Sequence, residues 1–183
     1  MEQELVQELI AKADQLYVDG DLAAARAAYE EILAAAPGTA WAYSRLGAIS
    51  AQMGDTQAAE QSLLQAIELD PKLPQAHSNL GNLYYSQGEF ERALDKYKAA
   101  VALNPDSPVF HENLHAAYKK LGKLSEAVNA LKQAHRLNRD SAKTEAKERL
   151  TAMRASVKRR TGCFGTALIT LLLTAVVLAA IFY

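Results

Sequence analysis

One cysteine, Cys163, stands in the whole sequence, so an intramolecular disulfide is impossible. There is also one tryptophan, Trp41. The opening stretch, MEQELVQELIAKADQL, lacks both the basic start and the apolar run of a secretory signal peptide. It is acidic and amphipathic, and it predicts a domain that stays in a reducing cytosolic compartment. No serine or cysteine nucleophile with a base and no glycine-rich phosphate loop is apparent. The sequence therefore predicts no enzyme, no catalytic residue and no cofactor. Apolar residues make up 50% of the chain, enough to build a core and to argue against global disorder. Net charge is also small, at −1, but the balance hides a gradient. Residues 1–37 hold eight acids and two bases, residues 38–118 nine and five, and residues 119–160 four and thirteen. The last 23 residues hold no charged side chain.

Glycine and proline are scarce, yet they fall in register. Gly20, Gly54, Gly88 and Gly122 stand 34 residues apart, and Ala25, Ala59, Ala93 and Ala127 follow each by five. Pro37, Pro71 and Pro105 keep the same interval, and the next slot holds Arg139. A fixed period of this size marks a repeat architecture. Each glycine suits the end of a first helix, because it tolerates positive φ. Each proline ends a second helix, which it cannot continue. Pro74 and Pro108 suit the first turn of the following helix, where a missing N–H costs nothing. Asp70-Pro71 and Asn104-Pro105 read as turn dipeptides. One helix pair is too small to bury its own apolar face, so the pairs must stack.

These columns resemble the tetratricopeptide repeat family. The third repeat matches best, through His77, Leu80, Gly81, Tyr84, Gly88, Ala93, Tyr97 and Pro105. The second matches through Tyr43, Leu46, Gly47, Gly54, Ala59, Leu63 and Pro71, and the first through Ala13, Leu16, Gly20, Ala25, Tyr29 and Pro37. The fourth keeps Leu114, Tyr118, Gly122, Ala127 and Leu131 but has His115 in a small-residue slot. The resemblance implies an all-α solenoid of four stacked helix-turn-helix repeats, at about 6–39, 40–73, 74–107 and 108–141. Residues 142–160, with Ala142, Ala146, Leu150 and Met153 on one stripe, read as a basic capping and juxtamembrane helix.

The uncharged run 161–183 predicts one transmembrane helix, since about 20 apolar residues span a bilayer core. Lys158, Arg159 and Arg160 precede it and would meet the membrane surface on the cytoplasmic side. The expected location is therefore a single-pass membrane protein with its repeats facing the cytoplasm, in a bacterial cytoplasmic membrane. Thr166, Thr170 and Thr174 share one face of that run and would allow two such helices to approach. Nucleic acid is not expected as a partner, because no aromatics interleave the basic stretch.

His111-Glu112-Asn113-Leu114-His115 matches H-E-x-x-H, the zinc-protease pattern, with His135 twenty residues beyond. The repeat frame explains the same residues differently. His111 shares its slot with His77, and Leu114 fills the leucine slot of the repeat. No metal site is predicted, and a zinc hydrolase through His111, Glu112 and His115 is the remote alternative.

The resemblance also implies a concave groove lined by the first helix of each repeat. Counting from each repeat start, its sixth slot holds Ala11, Arg45, Asn79 and Asn113. An asparagine offers both a donor and an acceptor to the backbone of an extended peptide. The predicted partner-binding residues are Trp41, Arg45, Ser78, Asn79, Asn82, Tyr85, Asn113 and Lys119, over a partly apolar floor of Ala48, Ala51 and Val109. The expected function is a membrane-anchored adaptor that binds a protein or peptide. The alternative is a self-assembling homo-oligomeric scaffold, with Ile10, Tyr17 and Val18 as the start of an apolar patch.

Overall fold

A computed structural model describes residues 2–161, with side chains from Glu8 to Ser156. Among the described residues there are eight helices and no strand. They are α1 (Glu2–Val18), α2 (Leu22–Ala35), α3 (Ala40–Gln52), α4 (Thr56–Leu69), α5 (Pro74–Ser86), α6 (Phe90–Leu103), α7 (Pro108–Lys120) and α8 (Leu124–Thr161). Residues 2–137 form one compact unit, and the described residues 138–161 belong to a second.

In the first unit each helix from α1 to α6 pairs with the next, and α3, α5 and α7 also touch one another in series. This is the all-α repeat solenoid that the 34-residue period predicts. The turns follow from the local residues. Gly20, Gly54, Gly88 and Gly122 have φ of 82°, 84°, 81° and 71°, a left-handed region that is costly for any residue with a Cβ. Asp21 and Asp55 cap the helices that follow, accepting from the backbone N–H of Ala24 (3.0 Å) and Ala58 (3.1 Å). Pro74 and Pro108 stand in the first turns of α5 and α7. Gly88→Ala should therefore lower stability by about 1–2 kcal/mol. Gly38→Ala, at a glycine with ordinary φ and open space around it, should stay within about 0.5 kcal/mol. Urea unfolding of the two variants checks the difference.

Two buried clusters form the core. Ala13, Ala25, Tyr29, Ile32, Ala42 and Ile49 make the first. Leu63, Leu80, Tyr84, Leu94, Tyr97 and Leu114 anchor the second. The small slot of each first helix is where the second helix comes closest. A Cβ on Gly47 would lie 2.6 Å from Leu63 Cγ, and one on Gly81 would lie 2.6 Å from Tyr97 Cε1. Ile10 and Tyr17, two of the three residues of the expected self-assembly patch, pack against the first cluster, while Val18 is exposed.

In the second unit α8 continues as helix to Thr161. Of its expected capping stripe, Ala142 and Met153 are exposed, while Ala146 and Leu150 are half-buried. The expected membrane location is overturned: among the described residues no helix is long and apolar enough to cross a membrane. With 38 residues, α8 has the length, but it carries most of the bases of the chain's basic stretch. The apolar run beyond Thr161, with Thr166, Thr170 and Thr174, lies outside the described residues. So do the side chains of Lys158, Arg159 and Arg160.

Candidate peptide-binding groove

The series α3, α5 and α7 exposes one face, and six of the eight sequence-predicted contact residues meet there. Trp41, Arg45, Ser78, Asn79, Asn82 and Asn113 line a single pocket of about 480 Å³. Leu73, Val109 and Phe110 supply its apolar surface, and Ser44 and Gln75 add polar groups. A smaller recess of about 260 Å³ adjoins it, sharing Asn79 and Asn82 and extending over Ala48, Ala51 and Tyr17. The other two predicted residues, Tyr85 and Lys119, line a separate open recess of about 500 Å³ with His115, Ala116 and Lys120.

The two asparagines of the sixth slot are held in the same way. Asn79 Nδ2 donates to Ser44 Oγ at 3.2 Å and to the Ser44 carbonyl at 3.4 Å. Asn113 Nδ2 donates to Ser78 Oγ at 3.1 Å. Each asparagine thus reaches the fifth slot of the preceding repeat. A carbonyl only accepts, so the Asn79 amide turns its nitrogen, and not its oxygen, toward Ser44. Neither asparagine oxygen has a protein partner among the described residues.

The second repeat has Arg45 in that slot, and the first repeat has Ile10 where the serine would be. Arg45 turns to Asp14 instead, with Nε 3.7 Å from Oδ1 and the guanidinium 5.8 Å from the Tyr17 ring centroid. Both partners are about half exposed, so the pair contributes little to stability. Trp41 divides its ring between core and groove, packing edge-on to Tyr29 at 6.2 Å.

A second pattern runs behind the groove. Tyr29 donates to Asp14 Oδ1, and Tyr97 donates to Asn82 Oδ1 at 2.8 Å. Both tyrosines occupy slot 24 of their repeats and both acceptors slot nine. The second and fourth repeats have leucine and alanine instead: Leu63 with Ala48, and Leu131 with Ala116. The array thus alternates polar and apolar fastenings. Burial first, and then the bond to Asp14, pushes the Tyr29 phenol far above its ordinary range; burial does the same to Tyr97. Tyr84 joins the second and third repeats, donating to Glu60 Oε1 at 2.8 Å and accepting from Arg92 Nη2 at 2.7 Å. Burial, then the bond to Glu60, pushes its pKa up to about 12.

The H-E-x-x-H residues have structural duties. His111 Nε2 donates to the Pro105 carbonyl at 2.8 Å, as His77 Nε2 donates to Pro71 at 3.0 Å one repeat earlier. His115 Nδ1 donates to the Ala127 carbonyl at 2.9 Å, bridging the two helices where the other repeats have glycine or alanine. Among the described residues no group of three potential metal ligands comes together.

The sequence matches the TPR repeat family over residues 50–88 and 81–122, and the tetratricopeptide repeat family over 116–141. The chain belongs to the tetratricopeptide-repeat proteins. No curated protein matches it in sequence. Among solved structures, the crystal structure of MamA is similar at 26% identity and a TM-score of 0.65, covering 75% of this chain and 81% of that one. A MamA RS-1 double mutant is similar in fold, at 20% identity and a TM-score of 0.63, over 74% and 76%. The Thermobaculum terrenum O-GlcNAc transferase K341M mutant is 29% identical, with a TM-score of 0.62 over 64% of this chain. Only 23% of that transferase is matched.

Proposed function

We propose that the array is a non-enzymatic interaction scaffold that receives an extended peptide segment of a partner protein in the pocket across α3, α5 and α7. One observation carries this reading. Asn79 and Asn113 are each fixed by a serine of the preceding repeat, and each keeps an amide oxygen for the backbone N–H of a ligand. Two fixed acceptors of the same kind on successive repeats suit a chain that runs past both without its sequence being read. Val109, Leu73 and Trp41 beside them provide the apolar surface that ligand sites need.

The test is a peptide library displayed against the full chain, followed by calorimetric titration of the selected peptides. The variant Asn79→Ala/Asn113→Ala should bind them about 10–50-fold more weakly, for two lost hydrogen bonds of about 1 kcal/mol each. Ser44→Ala/Ser78→Ala loosens the asparagines but keeps their oxygens, so it should cost less. If no peptide is selected, or if the asparagine variant stays folded and binds as wild type does, the reading is wrong.

A further inference from the structure

Apart from the groove, we infer that the C-terminal end of the array is a contact surface for a second copy of this chain, the two copies meeting fourth repeat to fourth repeat across a two-fold axis. The surface follows from the repeat frame. Certain slots face the repeat that follows. Slot five gives Ser44 and Ser78 to Asn79 and Asn113, and slot 21 gives Glu60 to Tyr84. Slot nine, at Ala48, shares a recess with Asn79 and Leu83, and slot 12, at Tyr17, accepts from Gln52. In the fourth repeat these slots hold Glu112, Val128, Ala116 and Lys119, and among the described residues no further repeat follows to meet them. The loss shows in burial. Leu94 in slot 21 is 3% exposed, whereas Val128 is 49% exposed. Tyr29, Leu63 and Tyr97 in slot 24 are buried, whereas Leu131 is only half-buried. Leu124, one turn before Val128, is 66% exposed.

The first repeat offers no matching face. Slots three and ten of the later repeats hold Ala42 and Ile49, Ala76 and Leu83, and Phe110 and Ala117, all buried. Ala42 and Ile49 pack with Ala13 and Tyr29 of the repeat before them. The first repeat has Glu8 and Gln15 in those slots, both exposed. Seating them on Leu124 and Val128 would bury polar groups without partners. Head-to-tail stacking of copies is therefore disfavoured, which leaves a closed pair in which one patch meets itself. The N-terminal patch expected from the sequence is no rival, since Ile10 and Tyr17 already pack inward.

The face complements itself when α7 and α8 run antiparallel to the same helices of the second copy. Glu112 and Lys119 lie on either side of Ala116, so an axis crossing α7 there sets Glu112 against the partner's Lys119, and Lys119 against the partner's Glu112. Val128 and Leu131 flank the Asn129–Ala130 step in the same way, so each meets the other across the axis. Both crossings lie at nearly the same height, because His115 is bonded to the Ala127 carbonyl. Ala116 at the crossing is small enough to let the helices approach. With 13 residues, α7 is about 20 Å long, and two helices side by side are about 20 Å wide. A footprint of about 400 Å² per copy stands at the low end for stable interfaces, so the dissociation constant should be about 10–100 μM.

Sedimentation equilibrium of the full chain, from well below to well above that range, provides the test. The weight-average mass should rise from that of one chain toward that of two and stop there. Leu124→Glu/Val128→Glu changes two exposed side chains, so the fold should hold by circular dichroism while association weakens about tenfold or more. Lys119→Glu should also weaken it, by setting like charges across the axis, and Glu112→Lys/Lys119→Glu should restore it. In a Cys163→Ser background, Ala116→Cys should be linked to its counterpart by a short bismaleimide, and Gln15→Cys should not. Asn79→Ala/Asn113→Ala should leave association unchanged, which separates this surface from the groove. A chain that stays monomeric, a mass that climbs past two copies, or association that survives Leu124→Glu/Val128→Glu overturns the inference. So does a charge exchange that fails to restore what Lys119→Glu removes, or a Gln15→Cys variant that links as well as Ala116→Cys.

Discussion

Tyr97→Ala should lower the stability of the array by about 4 kcal/mol, a large share of the 5–15 kcal/mol typical of a folded domain. The ring is 2% exposed, lies against the backbone of Gly81 and fills the centre of the larger core cluster. Its removal leaves a cavity that neither the glycine nor the adjoining helix can close. The alternation of the repeats supplies a more telling comparison. Asn82→Ala/Tyr97→Leu writes the second repeat's pair, Ala48 and Leu63, into the third. Leucine refills much of the space, and alanine removes the polar acceptor that would lose its partner. The double variant should cost about 2 kcal/mol, roughly half the loss of Tyr97→Ala. Urea unfolding followed by circular dichroism reads both values. If the double variant is as damaged as Tyr97→Ala, the two fastenings are not interchangeable.

Stability should also fall steeply in alkali. The folded state holds Tyr84 neutral up to about pH 12, whereas an unfolded tyrosine ionises near pH 10. Below pH 10 both states keep the proton and the contribution is complete. Between pH 10 and 12 the unfolded state gives up its proton first, so unfolding gains and the contribution is lost. The shift corresponds to about 2–3 kcal/mol for Tyr84, which is 3% exposed. Tyr29 and Tyr97, held neutral to still higher pH, extend the loss upward. Lysines titrate in the same window, so the informative quantity is the difference between wild type and Tyr84→Phe. The urea midpoint of wild type should drop more between pH 9.5 and 12 than that of the variant. Equal slopes would mean that Tyr84 ionises in the folded state as easily as in the unfolded chain.

The helical repeat was legible in the sequence because its causes are local. Four glycines hold positive φ at the ends of first helices, and three prolines follow the ends of second helices. The groove was legible in part. Asn79 and Asn113 were visible as a 34-residue recurrence, but their partners were not, because each bond crosses from slot six of one repeat to slot five of the one before. Serine and asparagine 35 residues apart, as in Ser44 with Asn79 and Ser78 with Asn113, was the available signal. Asn82 was expected to face a ligand, yet its oxygen is committed to Tyr97. The polar residue in slot nine announced that bond wherever slot 24 held tyrosine. Tyr85 and Lys119 share the concave helices with the other six but open on a different recess, a division that no linear pattern encodes. The apolar run after Thr161 invited a membrane span on composition alone, and nothing in the described helices carries that reading.

The divided duty of the Asn79 and Asn113 amides has a mechanical consequence. One end of each amide pins adjacent repeats together, and on the proposed groove reading the other end meets the ligand. A hydrogen bond accepted by the oxygen polarises the same amide and strengthens what its nitrogen donates. In an array where each unit feels only its neighbours, that tightens the joints between the second, third and fourth repeats together. On that reading the occupied array should be a stiffer spring than the empty one, its repeats melting in larger blocks.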